Sequence, residues 1–169
     1  FTMLEVYTAY HDVNDVMDLT EAIVKKAAQE VLGTLVLNFN GQSLNLREWQ
    51  RVSFAKIMSD RFGIEPDDPV SAWMEKLKKK GVKIEGKDLS RTQLVNIVGE
   101  LLEPGSEFSK KDNKPVFVTD YFTELCPLAK KNKKNPLISD RFELYIGGME
   151  IANGYSELND PIEQRERLL

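Results

Sequence analysis

Two glutamates near the end of the chain have the residue type and spacing of a metal-binding pair. Glu143 and Glu150 flank Gly147 and Gly148 in DRFELYIGGMEIANGYSELND, a segment in which apolar and polar residues otherwise alternate. Alternation is typical of β-strands, and strands joined by Gly-Gly predict a hairpin, because glycine adopts positive φ without steric cost. Both carboxylates then lie on one face as diagonal neighbours, roughly 7 Å apart. Such a pair suits Mg²⁺, which commonly binds one or two carboxylates plus substrate phosphates.

The Gly-Gly turn also fixes which residues oppose each other across the hairpin. The expected pairs are Ile146 with Met149, Tyr145 with Glu150, and Glu143 with Ala152. Taken alone, the two glutamates have a plainer interpretation, which is a solvated strand face with ordinary acidic residues.

The first ten residues, FTMLEVYTAY, predict a β-strand, because they are rich in aromatic and β-branched residues and lack Gly and Pro. Both faces of this strand would be largely apolar, as expected inside a covered sheet. Glu5 would then lie among apolar side chains, where an unpaired charge is expensive. We expect Glu5 to meet a cation, either a Lys or Arg of the protein or a ligand, and this segment does not decide between them.

Both ends of the chain resemble class II aminoacyl-tRNA synthetases, and most closely the lysyl-tRNA synthetases. FTMLEVYTAYHDVNDVMDLTE is similar to the end of their second signature motif and the following helix. ELCPLAKKN and RFELYIGGMEIANGYSELNDPIEQRERL resemble the stretch before the third motif. The related aspartate and asparagine enzymes have an arginine-containing motif in place of SELND. An acidic residue there suits a cationic amino-acid side chain.

The resemblance implies an α+β fold built on an antiparallel β-sheet, with flanking helices and a helical insertion. It divides the chain into three parts of one catalytic domain: residues 1–33, which end the second motif, residues 34–115, the insertion, and residues 116–169, the active-site strands. The arginines of the second and third motifs would lie outside the chain. We therefore expect a partial domain that is inactive alone.

The resemblance also implies roles for particular residues. Phe1 would stack on the adenine of ATP, and Glu143 and Glu150 would hold Mg²⁺ against the phosphates. Five residues would bind the substrate L-lysine: Glu5, Tyr7, Asn153, Tyr155 and Glu157. Tyr7 and Glu157 would be nearest the ε-ammonium group, and Asn153 would lie near the carboxylate end.

The implied reaction is attack of the lysine carboxylate on the α-phosphate of ATP, followed by transfer of the lysyl group to tRNA(Lys). Positioning and charge neutralisation can carry such a step without a protein nucleophile. A cytoplasmic homodimer is implied for the whole enzyme. Two alternatives remain: a lysyl-transferase paralogue that modifies a translation elongation factor, and a non-catalytic amino-acid-binding regulatory module.

The two implied residue sets conflict in their strand geometry. Glu150 has even parity, whereas Asn153, Tyr155 and Glu157 have odd parity, so a regular strand cannot direct both sets to one face. A β-bulge inserts one residue and reverses the alternation. We predict a bulge or kink between Ile151 and Gly154, most readily at Gly154.

The rest of the sequence predicts scaffold and excludes several functional classes. Helices are expected over residues 14–32, 54–62, 70–80 and 90–102, with a short hairpin around Asn40 and Gly41. One cysteine, Cys126, excludes a disulfide framework, and no apolar run is long enough to cross a membrane. The net charge of −4 gives no overall attraction for DNA or other nucleic acid. Two lysine runs, over residues 76–80 and 130–134, are expected to be solvated, and the second could contact tRNA phosphates.

Overall fold

The computed structural model describes residues 2–84, 86, 89–101 and 113–169, and within them an α+β fold. The helices are α1 (Val13–Leu32), α2 (Phe54–Phe62), α3 (Val70–Lys79), α4 (Arg91–Leu101) and α5 (Pro161–Leu168), with a short 3₁₀ turn at Thr123–Leu125. The strands are β1 (Val36–Phe39), β2 (Gln42–Asn45), β3 (Gln50–Ser53), β4 (Val116–Thr119), β5 (Arg141–Ile146) and β6 (Met149–Tyr155).

The main sheet has four strands in the order β3-β4-β5-β6. Strands β4, β5 and β6 pair antiparallel, which confirms the expected sheet, whereas β3 adds to β4 in parallel. Strand β3 was not expected, because its four residues carry no clear alternation. A separate antiparallel hairpin, β1–β2, turns at Asn40 and Gly41 as predicted.

The hairpin β5–β6 contains the predicted bulge. Two expected pairs are confirmed, Ile146 with Met149 and Tyr145 with Glu150, and both turn glycines have positive φ. The third expected pair is wrong: Ala152 lies opposite Leu144, and Glu143 lies opposite Asn153. The reason is that Ile151 has no partner on β5, so the bulge lies at Ile151 and not at Gly154.

The bulge collects the polar side chains of the hairpin on one face. Partners across a ladder share a face, and so do residues two apart on one strand. The face that results, called here the polar face, consists of Arg141, Glu143, Tyr145, Glu150, Asn153 and Tyr155. Its opposite carries apolar residues, among them Phe142 and Leu144.

Each side of the sheet has its own core. Helix α1 and the β1–β2 hairpin cover the apolar face, where Met17 and Ala28 pack against Phe117, Phe142 and Leu144. On the other side, α2, α3 and α4 pack against β4 through a cluster that includes Phe54, Trp73, Leu94, Val98 and Val118. The polar face of β5–β6 therefore lies beside this second core.

The predicted N-terminal strand is wrong. Residues 2–8 form no regular structure, and Met3, Leu4 and Val6 are exposed. A strand requires a neighbour that completes its backbone hydrogen bonds, and no strand in the described part of the chain pairs with this segment. Glu5 is likewise exposed, so the apolar environment expected around it is wrong in this structure.

The helices begin and end where local signals predict. Asp12 caps α1 by accepting hydrogen bonds from the backbone amides of Asn14 and Asp15, and Gly33 ends the helix with φ of 68°. Ser90 and Gln93 exchange the hydrogen bonds of a capping box before α4. None of the helices in the described ranges is both long enough and apolar enough to span a bilayer.

Candidate functional site

A cleft of about 380 Å³ lies between α4 and the polar face of the sheet. The sheet contributes Arg141, Glu143, Tyr145 and Glu150, and α4 contributes Asn96, Gly99 and Glu100, with Tyr121 and Leu125 completing the wall. Both glutamates predicted for the metal thus line one cavity.

Glu143 is held by three side-chain donors. Its Oε1 accepts a hydrogen bond from Nη2 of Arg141 at 2.5 Å. Its Oε2 accepts from the hydroxyls of Tyr121 and Tyr145, at 2.6 Å and 2.7 Å. Burial, together with the negative charge of Glu143, raises the pKa of both tyrosines, so their hydroxyls keep their protons and donate. The Glu143 carboxylate is therefore fixed in one orientation.

Arg141 connects Glu143 to the other half of the polar face. Its Nε donates to Oδ1 of Asn153 at 3.2 Å, while its Nη2 donates to Glu143. The third nitrogen, Nη1, lies 3.3 Å from both the carbonyl oxygen of Leu125 and Sγ of Cys126. The guanidinium carbon also lies 5.0 Å from the ring centroid of Tyr121. One side chain thus touches both predicted substrate regions.

Glu150 lies at the exposed edge of the cleft, and no described residue forms a salt bridge with it. Partial burial of its carboxylate and the negative charge of Glu143 raise its pKa, against a smaller opposing effect of Arg141. The two carboxylates therefore repel each other across the hairpin, as the sequence predicted. A cation between them would relieve this repulsion.

These two carboxylates offer only part of the oxygen ligands that Mg²⁺ takes in proteins. A carboxylate has about four acceptor positions, and Glu143 uses three of them for Arg141, Tyr121 and Tyr145. In the described ranges no three His, Cys, Asp or Glu side chains converge on a metal position. The described side chains therefore do not form a closed protein site for Mg²⁺.

Four residues predicted for the amino-acid pocket lie at or near the end of the hairpin: Tyr7, Asn153, Tyr155 and Glu157. Burial raises the pKa of Tyr155, and the nearby Glu157 and Tyr7 raise it further. Backbone pairing of Glu157 with Ala129 fixes the start of the SELND segment. Asn153 and Tyr155 share the polar face with Glu143.

The fifth residue predicted for this pocket, Glu5, is not placed there by the structure. Glu5 lies on the exposed N-terminal segment. Phe1, the expected adenine-stacking residue, lies outside the described residues, so its role stays a prediction.

Sequence reasoning missed Arg141, Tyr121 and the cleft-facing residues of α4. Arg141 could have been found, because it lies two residues before Glu143 on the same strand and must share its face. Tyr121, Asn96 and Glu100 reach the cleft only through tertiary packing, which no local pattern reports.

Residues 1–169 match the model of the family described as tRNA synthetases class II (D, K and N). The sheet, the polar face and this match agree, and the chain belongs to that family.

Three curated relatives, each named lysine–tRNA ligase, align with the whole chain. The protein from Carboxydothermus hydrogenoformans is 42% identical over 174 residues, which cover 100% of this chain and 34% of the relative. The Clostridium acetobutylicum protein is 41% identical over 174 residues, which cover 100% of this chain and 33% of the relative. The Thermotoga maritima protein is 36% identical over 171 residues, with 100% and 32% covered. The chain spans about a third of the length of these relatives.

Proposed function

We propose that this chain forms the amino-acid-binding and metal-binding part of an enzyme that uses ATP to join lysine to tRNA(Lys). The observation that carries the proposal is the bulge at Ile151, which brings Glu143, Glu150, Asn153 and Tyr155 to one face. The polar face then offers carboxylates for a metal–nucleotide complex next to polar groups for an amino acid. The name shared by the three relatives supports lysine as that amino acid.

In this proposal Glu157 and Tyr7 recognise the ε-ammonium group of lysine. A carboxylate beside two tyrosine rings offers hydroxyl acceptors and also a charge attraction, which an uncharged side chain cannot exploit. Tyr155 closes the side of the pocket, and Asn153 orients the end that carries the reacting carboxylate. We keep the expected roles of Glu5, as a further contact to the substrate lysine, and of Phe1, as the residue that stacks on the adenine.

Bound Mg²⁺ would neutralise the charge on the ATP phosphates, and Glu143 and Glu150 would hold it. The three donors around Glu143 keep its carboxylate aimed at the cleft before substrates arrive. Glu150, at the cleft mouth, supplies the second negative charge. The protein acts by positioning, because the attacking carboxylate belongs to the substrate itself.

Two alternatives, an elongation-factor-modifying paralogue and a non-catalytic binding module, are not favoured by the relatives, which carry the name of the tRNA ligase. Cytoplasmic location and a homodimeric state are part of our proposal for the whole enzyme.

The function is tested by ATP–pyrophosphate exchange with each amino acid in turn. The whole enzyme is needed, because the chain spans about a third of the length of its relatives. We expect exchange to depend on lysine and on Mg²⁺. Exchange that follows another amino acid, or no amino acid, would contradict the proposal.

A further inference from the structure

We propose that Arg141 is a positioning residue that couples the metal half of the site to the amino-acid half. The inference rests on the function proposed above, and it adds Arg141 to the residues that the proposal uses. Arg141 would fix Glu143 for the metal and Asn153 for the substrate lysine through one guanidinium group.

The geometry of the hairpin makes this double contact possible. Arg141 lies opposite Tyr155, and the next polar-face pair along the ladder is Glu143 with Asn153. Arg141 is therefore an i,i+2 neighbour of Glu143 and a diagonal neighbour of Asn153. Its Nη2 and Nε donate to these two side chains, at 2.5 Å and 3.2 Å.

The guanidinium group is itself held in place. Its remaining nitrogen contacts Leu125 and Cys126, and its plane lies near the ring of Tyr121. The side chains of Arg141 and Glu143 are only 18% and 14% exposed, so the pair is shielded from solvent. Five donors in a rigid plane allow several bonds at fixed angles, which the single ammonium group of lysine cannot reproduce.

If Arg141 formed only a structural ion pair with Glu143, Arg141→Lys would leave the lysine affinity unaltered. Charge neutralisation of Glu143 requires only a cation, and a lysine at position 141 would supply one. Orientation of Asn153 requires a second donor on the same side chain, which in Arg141 is Nε. Arg141→Lys therefore separates the two roles.

The test uses the whole enzyme with two readouts other than turnover. Calorimetry gives the Kd for L-lysine without ATP or metal, and thermal shift gives the Mg²⁺ concentration that half-saturates stabilisation in the presence of ATP. In Arg141→Lys we expect the lysine Kd to rise about tenfold, the size typical when a group that orients a ligand-binding side chain is removed, and the Mg²⁺ midpoint to stay within about twofold of wild type, because a lysine at position 141 still neutralises Glu143. Arg51→Lys is the matched control, because Arg51 also pairs with a carboxylate, that of Asp18, but on the opposite face of the sheet.

A second variant, Tyr121→Phe, removes one donor to Glu143 without touching Asn153. We expect a raised Mg²⁺ midpoint and a lysine Kd within about twofold of wild type, since only the metal half loses a contact. An unchanged Mg²⁺ midpoint in Tyr121→Phe would show that the donors to Glu143 do not position it for the metal, and it would overturn the proposal even if Arg141→Lys did not fold.

Unaltered lysine affinity in folded Arg141→Lys would also overturn the proposed role of Arg141. Failure of the wild-type enzyme to bind lysine would instead contradict the proposed function. The ratio of the lysine Kd of the variant to that of wild type therefore tests the role of Arg141 separately from the proposed function.

Discussion

Glu143 and Glu150 line one cleft, but the surroundings of the two carboxylates differ. Glu143 already has a guanidinium group and two hydroxyls around it, whereas Glu150 has only partial burial and a like-charged neighbour. The two glutamates are therefore unequal: one is fixed in place and the other is electrostatically frustrated.

This difference predicts a pH-dependent effect of Glu150→Gln. The folded pKa of Glu150 is raised above 4.5, so ionisation costs stability as the pH rises through that folded value. Removing the charge should raise the Tm by about 1–2 °C at pH 7, a small effect because the residue is exposed. The difference should vanish below pH 4.5, where the carboxyl is protonated in both states.

Differential scanning calorimetry across pH 4–8 measures the effect, with Glu166→Gln as the exposed control. A lower Tm for Glu150→Gln at pH 7 would show that Glu150 has a stabilising partner.

The hairpin β5–β6 determines which side chains face the cleft. The parity conflict between Glu150 and Asn153 predicted a bulge, because parity is a property of sequence alone. The parity conflict did not identify the bulged residue, because several residues near Glu150 and Asn153 could be the one without a partner on β5. The structure extrudes Ile151, whereas Gly154 allows close packing, because a Cβ there would lie 2.6 Å from the ring of Phe142 and 3.4 Å from Val16.

Gly154→Ala should therefore destabilise the protein by about 1–3 kcal/mol, because β6 must move away from Phe142 and α1. Gly99→Ala is the matched control. Its Cβ would meet only the end of the Leu125 side chain, at 3.2 Å, and alanine favours a helix. Urea unfolding gives both values. Equal stability of Gly154→Ala and wild type would refute the close packing of α1 on β6.

The predictions that succeeded depend on local signals, and those that failed depend on partners. Gly33 and the Ser90–Gln93 box fix predicted helix ends through atoms a few residues away. By contrast, residues 2–8 carry strand-forming side chains but have no described neighbour strand, and β3 forms because β4 offers it an edge. Tyr121 reaches Glu143 for the same reason, through pairing of β4 with β5.

Across the whole molecule, charge is distributed unevenly despite a net value of −4. In the run over residues 130–134, Lys131 pairs with Glu163, while Lys133 and Lys134 are exposed. The backbone amide of Lys130 bonds to the carbonyl of Ser156, so this run lies directly beside the SELND segment. The run over residues 76–80 lies on α3 and the turn after it.

This placement predicts which run contacts tRNA. Changing Lys130, Lys133 and Lys134 to Ala in the whole enzyme should weaken tRNA binding and flatten its salt dependence, by about 0.7–0.9 in the log–log slope per lost phosphate contact. The same change at Lys78, Lys79 and Lys80 is the control and should leave the slope unaltered. Identical slopes for wild type and the first variant would remove the proposed contact.

We propose that an acidic pocket beside the polar face recognises the cationic end of lysine. The most direct measurement is the KM for lysine in ATP–pyrophosphate exchange by the Glu157→Gln enzyme, with Glu166→Gln as control. We predict a KM raised about 100-fold or more in Glu157→Gln, since a charge-assisted contact is lost. A KM equal to that of wild type, with exchange intact, would contradict the recognition of lysine by this pocket.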